Sequence, residues 1–350
     1  MYKSLQGTRA VAAIFVVLFH LGLTISLKKY FDIEEFSIPF LFGSAGVEYF
    51  FVLSGFIIYS AHYKDISQPD KIAIYIKKRF VRIYPAYWIV FISVLILAFL
   101  TGQDTSSSRY DPLVLIKGFF LVPQEKTWSG GTGSPVIDVA WTLQYEVFFY
   151  IFFCALILNR WIFIFISIFL CYIGFSEILI EYPSAFLKLI AGKWFLLFFM
   201  GMAVSFLCKN LKLSIFSYTF FLCSGLLVFF LLSLDTVIKD KFIPFEKLMP
   251  YGVASALIIF GLVGLEKSGQ VLLDGKWMQR LGDSSYALYL IHYPVISVLC
   301  KIAIALKVDK LNVYGALMTY LVIFMACIFL SMMFHVFVEK PIGLFFKKFV

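Results

Sequence analysis

The chain has 350 residues, 61% of them hydrophobic and only 15% charged, where an ordinary soluble domain carries about 25% charge. A mean hydropathy of +0.92, with 42 Phe, 20 Tyr and 6 Trp, exceeds what one soluble core can bury, which excludes a water-soluble monomer and predicts an all-α polytopic membrane protein. The net charge of +9 resides mainly in short loops between apolar stretches, as the positive-inside rule requires, so no nucleic-acid partner is expected.

Hydropathy predicts ten spans, at about 5–27, 43–62, 82–101, 140–158, 160–180, 187–208, 214–234, 248–265, 280–305 and 313–338. The first is not a cleavable signal: it outruns a roughly 7–15-residue signal core and contains Arg9 and His20. Residues 112–122 are apolar but too short to span and are interrupted by Lys117, so they read as a re-entrant or interfacial piece.

An even number of spans puts both termini on one side. Loop 63–82 carries Lys64, Lys71, Lys77, Lys78, Arg79 and Arg82 against Asp65 and Asp70 and is predicted cytoplasmic. Orientation then propagates, placing Lys3, Arg160, Lys209, Lys212, Lys267, Lys276, Arg280, Lys340, Lys347 and Lys348 inside. Both termini are therefore predicted cytoplasmic. The outer loops carry Asp32, Glu34, Glu35, Asp104, Asp111, Glu125, Asp138, Glu181, Asp235, Asp240, Glu246 and Asp309.

No internal repeat or soluble domain is evident, and residues 1–350 read as one integral-membrane domain. The longest outer loop, 102–139, includes Ser106-Ser107-Ser108 and the Gly-rich run from Ser129 through Gly130 and Gly131 to Pro135; it reads as a connector, or as a lid or acceptor-binding loop. The six cysteines show no CxxC or Cys/His metal spacing, so free thiols and no metal are expected.

Charged groups inside a bilayer are costly unless they face protein or a wet cavity, which makes each a functional candidate. Arg9 and His20 lie eleven residues apart, about three turns and roughly 16 Å along one face of the first helix. Glu146 is predicted about 9 Å below the outer surface, at a depth similar to His20. An imidazole and a carboxylate at matched depth suit general-base chemistry on an alcohol; a hydrogen-bonded core histidine is the alternative. Glu48, near the outer end of the second span, is either a second carboxylate of the site or a helix N-terminal acid. Arg79 and Arg82, at i and i+3, precede Tyr84, Tyr87 and Trp88. Guanidiniums suit phosphate and aromatic rings suit a heterocycle, although basic and aromatic residues also mark a cytoplasmic interface. His292 lies beside Pro294, as a packing histidine or a substrate contact. Gly282-Asp283-Ser284 looks like a serine-hydrolase fragment without the rest of its motif. His62 and His335 read as interfacial.

The order and spacing of several motifs resemble the membrane acyltransferase 3 family, especially its exopolysaccharide and O-antigen O-acetyltransferase branch. They are Leu5-Gln-Gly-Thr-Arg9 to Phe19-His20, Gly46-Val-Glu-Tyr-Phe-Phe-Val-Leu-Ser-Gly-Phe56, Arg79-Phe-Val-Arg82-Ile-Tyr-Pro85, Trp141-Thr-Leu-Gln-Tyr-Glu146 with Phe149-Tyr150, Leu281-Gly-Asp-Ser-Ser-Tyr286 to His292, and Glu339-Lys-Pro341. The resemblance implies ten membrane helices that take an acyl group from cytoplasmic acyl-CoA, here acetyl-CoA, and deliver it to a carbohydrate hydroxyl or lipid-linked glycan. It implies His20 as catalytic residue, with Arg9, Arg79 and Arg82 contacting acyl-CoA. Tyr84 is added to that donor set, Glu146 to the catalytic pair, and Glu48, Trp141 and His292 as acceptor contacts or supports. Glu48 stands where the family usually has Asp. Many relatives carry a C-terminal esterase-like domain; this chain ends at Val350 without one and is expected to work alone or with a partner, in a bacterial inner membrane.

The expected function is thus an O-acetyltransferase with His20 as base or acyl carrier. The competing reading is a transporter or flippase in polysaccharide export, which lacks the inverted repeat such folds show. A membrane scaffold ranks last because it leaves Arg9, His20 and Glu146 unused.

Overall fold

The structure is a computed structural model that describes residues 2–101, 107–129, 132–177, 184–190, 192–239, 241–243 and 246–346. Asp104, Ser106, Gly130, Gly131, Glu181, Asp240, Lys347, Lys348 and Val350 lie outside the described residues. So do 178–180 and 191, within the fifth and sixth predicted spans. The described residues are helical, without a strand. The principal helices are α1 (Lys3–Ile25), α2 (Gly46–His62), α3 (Ile72–Leu100), α4 (Pro112–Phe119), α5 (Trp141–Leu158), α6 (Arg160–Glu177) and α7 (Trp194–Asn210). They are followed by α8 (Ile215–Val237), α9 (Leu248–Lys267), α10 (Lys276–Asp283), α11 (Ser285–Ala305), α12 (Asn312–Phe334) and α13 (Lys340–Phe346).

Eight helical stretches among the described residues are long and apolar enough to cross a membrane. Two shorter apolar helices, Arg160–Ile173 and Trp194–Asn210, fall where the fifth and sixth spans are predicted. Large apolar side chains stand exposed along the long helices, among them Phe216 at 79%, Phe230 at 62% and Met325 at 62%. Water would penalise such surfaces and lipid solvates them, so the architecture is that of a multi-pass helical membrane protein. The third helix begins at Ile72, ten residues before its predicted span. Its first turns mix Lys77, Lys78 and Arg79 with buried Tyr75, an amphipathic pattern that a hydropathy window passes over.

The chain divides into two compact units, Met1–Ile57 with Met200–His335, and Ile58–Phe199 with Val336–Val350. In the first, α1 lies against α11 and α12 through Ala13, Val17, Leu21 and Ile25, which meet Leu288, Ile296, Cys300, Ala316, Ile323 and Cys327. The row of α1 residues repeats every four positions, one helix face, and the small Cys300, Ala316 and Cys327 let the helices approach closely. The start of α1 leaves unpaired backbone N–H groups. Glu266 answers two of them, accepting from the N–H of Lys3 and of Ser4 at 2.8 Å each. A carboxylate at that end also complements the helix dipole. Between α8 and α9, a Cβ on Gly261 would stand 2.7 Å from the Tyr218 carbonyl oxygen and from Leu222, so the contact requires glycine.

In the second unit, α5 packs through aromatic side chains: Phe149 stacks on Phe198 at 4.0 Å, and Phe153 on Tyr75 at 5.6 Å. Asp111 caps α4, accepting from the Leu113 N–H at 2.9 Å. At its far end the carbonyls of α4 are met by α3: Tyr87 donates to Gly118 O at 2.7 Å, Trp88 Nε1 to Phe119 O at 2.9 Å and Tyr84 to Phe120 O at 3.2 Å. Tyr84 and Trp88 are sixteen and twelve residues before Leu100, the end of α3, which is about 24 and 18 Å along the axis. The short helix thus doubles back deep along α3, as a re-entrant segment does.

Candidate functional site

The polar residues singled out in the sequence gather into two clusters, one in each unit. In the first, His20 is half-buried on α1 and His292 is wholly buried on α11. The two rings meet, His292 Nε2 lying 3.2 Å from His20 Nδ1 with ring centroids 5.0 Å apart. His20 Nδ1 is also 2.9 Å from the Val16 carbonyl oxygen, and His292 Nδ1 is 2.7 Å from the Tyr289 and 3.1 Å from the Leu288 carbonyl oxygens. Tyr293 presents its edge to the His20 ring at 5.6 Å.

Three turns toward the start of α1, Arg9 Nη1 donates to Gln6 Oε1 at 3.2 Å. Gln6 in turn donates through Nε2 to Asp283 Oδ1. Asp283, in the fragment that the sequence left without a role, is therefore the carboxylate that closes an Arg9–Gln6–Asp283 chain. Thr8, one turn from Ser4, shares a hydrogen bond with the Tyr49 hydroxyl. Glu48 sits in the first turn of α2, the position of a helix N-terminal acid, and its Oε2 is buried without a hydrogen bond among the described residues.

The second cluster centres on Arg79. Asp65 Oδ2 lies 2.7 Å from His62 Nδ1, and His62 Nε2 lies 3.2 Å from Arg79 Nη2. Because a guanidinium only donates, His62 Nε2 accepts and Nδ1–H donates to Asp65. The Arg79 guanidinium stands over the Tyr150 ring at 5.5 Å and the Tyr75 ring at 5.8 Å, and its Nε is buried without a hydrogen bond among the described residues. Tyr150 donates to Glu146, one turn earlier on α5, and Tyr75 donates to the Tyr150 carbonyl at 3.1 Å. Arg82 Nη1 donates to Glu339 Oε1 at 2.8 Å.

The sequence expected His20 beside Glu146 and grouped Arg79 with Arg82. Within the first unit His20 meets His292; within the second Glu146 meets Tyr150, and the two arginines take different acidic routes, to Asp65 through His62 and to Glu339. Tyr84 serves the α3–α4 clasp and stacks on Phe80 at 4.9 Å. Trp141 opens α5 and packs edge-on to Trp194 at 5.0 Å. Sequence reasoning missed Gln6, Asp283, Asp65 and Glu339 as partners; Glu339 had a signal, as an acid closing an apolar run just before Lys340 and Pro341. Among the described residues no three His, Cys, Asp or Glu side chains group as metal ligands.

An imidazole pair on membrane-length helices and a stacked guanidinium beside a carboxylate–tyrosine pair can move a proton and hold an anion. The chain matches the Acyl_transf_3 family model, an acyltransferase domain, over residues 2–336. It is 30% identical over 275 residues to the exopolysaccharide production protein ExoZ of Rhizobium meliloti (strain 1021), covering 76% of this chain and 81% of the relative. No solved structure matches it. The family match favours group transfer over transport, and the chain belongs to the acyltransferase family.

Proposed function

We propose that this acyltransferase is an O-acetyltransferase that moves the acetyl group of cytoplasmic acetyl-CoA to a hydroxyl of a cell-surface polysaccharide or its lipid-linked precursor. The observation that carries the reading is His20, a titratable ring on a membrane-length helix of an acyltransferase. The polysaccharide acceptor follows from the similarity to an exopolysaccharide production protein. The protein is taken as one domain of ten crossings in a bacterial inner membrane, with both termini cytoplasmic, α6 and α7 completing the eight long spans.

In direct transfer, His20 takes the acceptor hydroxyl proton as its oxygen attacks the thioester carbonyl. The C–S bond then breaks and CoA leaves as the thiol, the proton returning from the imidazolium. In the two-step route the neutral His20 nitrogen attacks first and CoA leaves as the thiolate; the sugar hydroxyl then attacks the acetyl-imidazolium, imidazole is released and the hydroxyl proton neutralises the thiolate. Glu146 steadies the proton movement. Arg9, Arg79, Arg82 and Tyr84 hold the donor's phosphates and base, and Arg79 Nε offers a buried donor that a phosphate oxygen satisfies. Glu48 and Trp141 serve the acceptor side.

The test is release of CoA thiol from acetyl-CoA by purified protein in detergent, with and without a polysaccharide-precursor extract. Wild type should release thiol in proportion to acceptor, and folded His20→Ala should release none. Acceptor-dependent release that survives in His20→Ala sinks the assignment.

A further inference from the structure

The hydrogens on the two imidazoles can be placed from their neighbours. A backbone carbonyl only accepts, so His292 Nδ1, at 2.7 Å from Tyr289 O and 3.1 Å from Leu288 O, carries the hydrogen. The lone pair of the neutral ring is then at Nε2, the atom 3.2 Å from His20 Nδ1. His20 Nδ1 also faces the Val16 carbonyl at 2.9 Å. With a lone pair on one side and a carbonyl on the other, it too must carry a hydrogen, which puts the His20 lone pair at Nε2. Val16 O, the i−4 carbonyl that also accepts the helix bond of the His20 amide, takes that hydrogen with its second lone pair. His292, on a different helix and wholly buried, supplies a second acceptor from outside α1, one that can move with the ring it holds.

We propose that His292 is a positioning residue of the transfer reaction. Its neutral Nε2 accepts from His20 Nδ1–H, fixes the tautomer in which His20 Nε2 is the base or nucleophile, and strengthens that bond when His20 becomes an imidazolium. A charge-assisted hydrogen bond is roughly twice as strong as a neutral one, so the pair favours the protonated state formed during transfer over the resting state. The arrangement performs with an imidazole what the third member of a Ser-His-Asp triad performs with a carboxylate. The inference rests on His20 being the reacting group.

The experiment uses ¹⁵N-histidine-labelled full chain in detergent. With 4 histidines, the His20 signals are assigned by their loss in His20→Ala. In wild type the ¹⁵N shifts should show His20 in the Nδ1–H form. His292→Leu, which has no acceptor, should give a mixture of tautomers and a kcat lower by about 10²-fold, the low end of general-base contributions, with KM for acetyl-CoA within about twofold. His292→Gln, whose Oε1 can accept from His20, should keep the tautomer and recover most of kcat. An Nε2–H form in wild type overturns the proposal, as does equal impairment of the Gln and Leu variants, which marks His292 as packing alone. Transfer that survives in His20→Ala instead refutes the proposed function, whereas the tautomer reading reports on the pair independently of turnover.

Discussion

Arg79 and Arg82 look interchangeable in the sequence, yet their surroundings set them different tasks. Arg79 is drawn toward Asp65 through the His62 ring and stacks over two tyrosines. A planar guanidinium suits both contacts and a lysine ammonium suits neither well. Arg79→Lys should therefore raise KM for acetyl-CoA about tenfold or more with a smaller change in kcat, measured by steady-state thiol release. Arg82 is partly exposed and paired to a Glu339 carboxylate that is only 9% exposed. If Arg82 binds the donor, Glu339→Gln frees it and leaves KM unchanged or lower, whereas Arg82→Gln raises KM. Equal effects of the two substitutions would reduce the pair to an ion pair. Arg9, His20, Arg79 and Glu146 were legible as candidates because each is a charged or titratable group in or beside an apolar run. Their partners were not. Seeing His292 beside His20, 272 positions away, requires the register of α11 against α1, which no local pattern encodes.

At the scale of elements, hydropathy marked the apolar helices well and their amphipathic extensions poorly. The early start of α3 matters because it places Arg79 within a continuous helix, where Tyr75 lies one turn away, rather than at a loose helix mouth. That α4 does not cross was legible from length alone, since 112–122 cannot span, which left a re-entrant or an interfacial piece. What holds it was not, because the three aromatic donors of α3 act on backbone carbonyls that carry no sequence signature. Tyr87 is the innermost of the three, fully buried, with its hydroxyl on Gly118 O. Tyr87→Phe removes one of two donors on that carbonyl, which keeps the Leu121 N–H at 3.0 Å, and should destabilise the protein by about 0.5–1.5 kcal/mol. Tyr84→Phe, at a half-buried site, should do less. Thermal unfolding in detergent ranks the two, and a larger effect at Tyr84 would contradict the clasp.

At the scale of the molecule, the number of crossings turns on α6 and α7. Helix α6 has 18 residues and α7 has 17, about 27 and 26 Å at 1.5 Å per residue. These fall only slightly short of a roughly 30 Å core, a mismatch that local bilayer thinning absorbs. The exposed faces of α6 support a crossing: Phe165 is 77% exposed and Tyr172 74% exposed, an arrangement suited to lipid and not to a cytoplasmic surface. If both helices cross, Ser184, between them, faces the outside. If neither does, it stays in the cytoplasm with Lys64 and Arg160, and both termini keep their side either way. A single cysteine at Ser184, introduced after replacement of the six native cysteines, distinguishes the two. Intact spheroplasts should label Ser184→Cys with a membrane-impermeant maleimide and leave a cysteine at Lys64 unlabelled until the membrane is opened. Protection of Ser184→Cys in intact cells, with labelling only after lysis, would establish eight crossings and move α6 and α7 out of the spanning set.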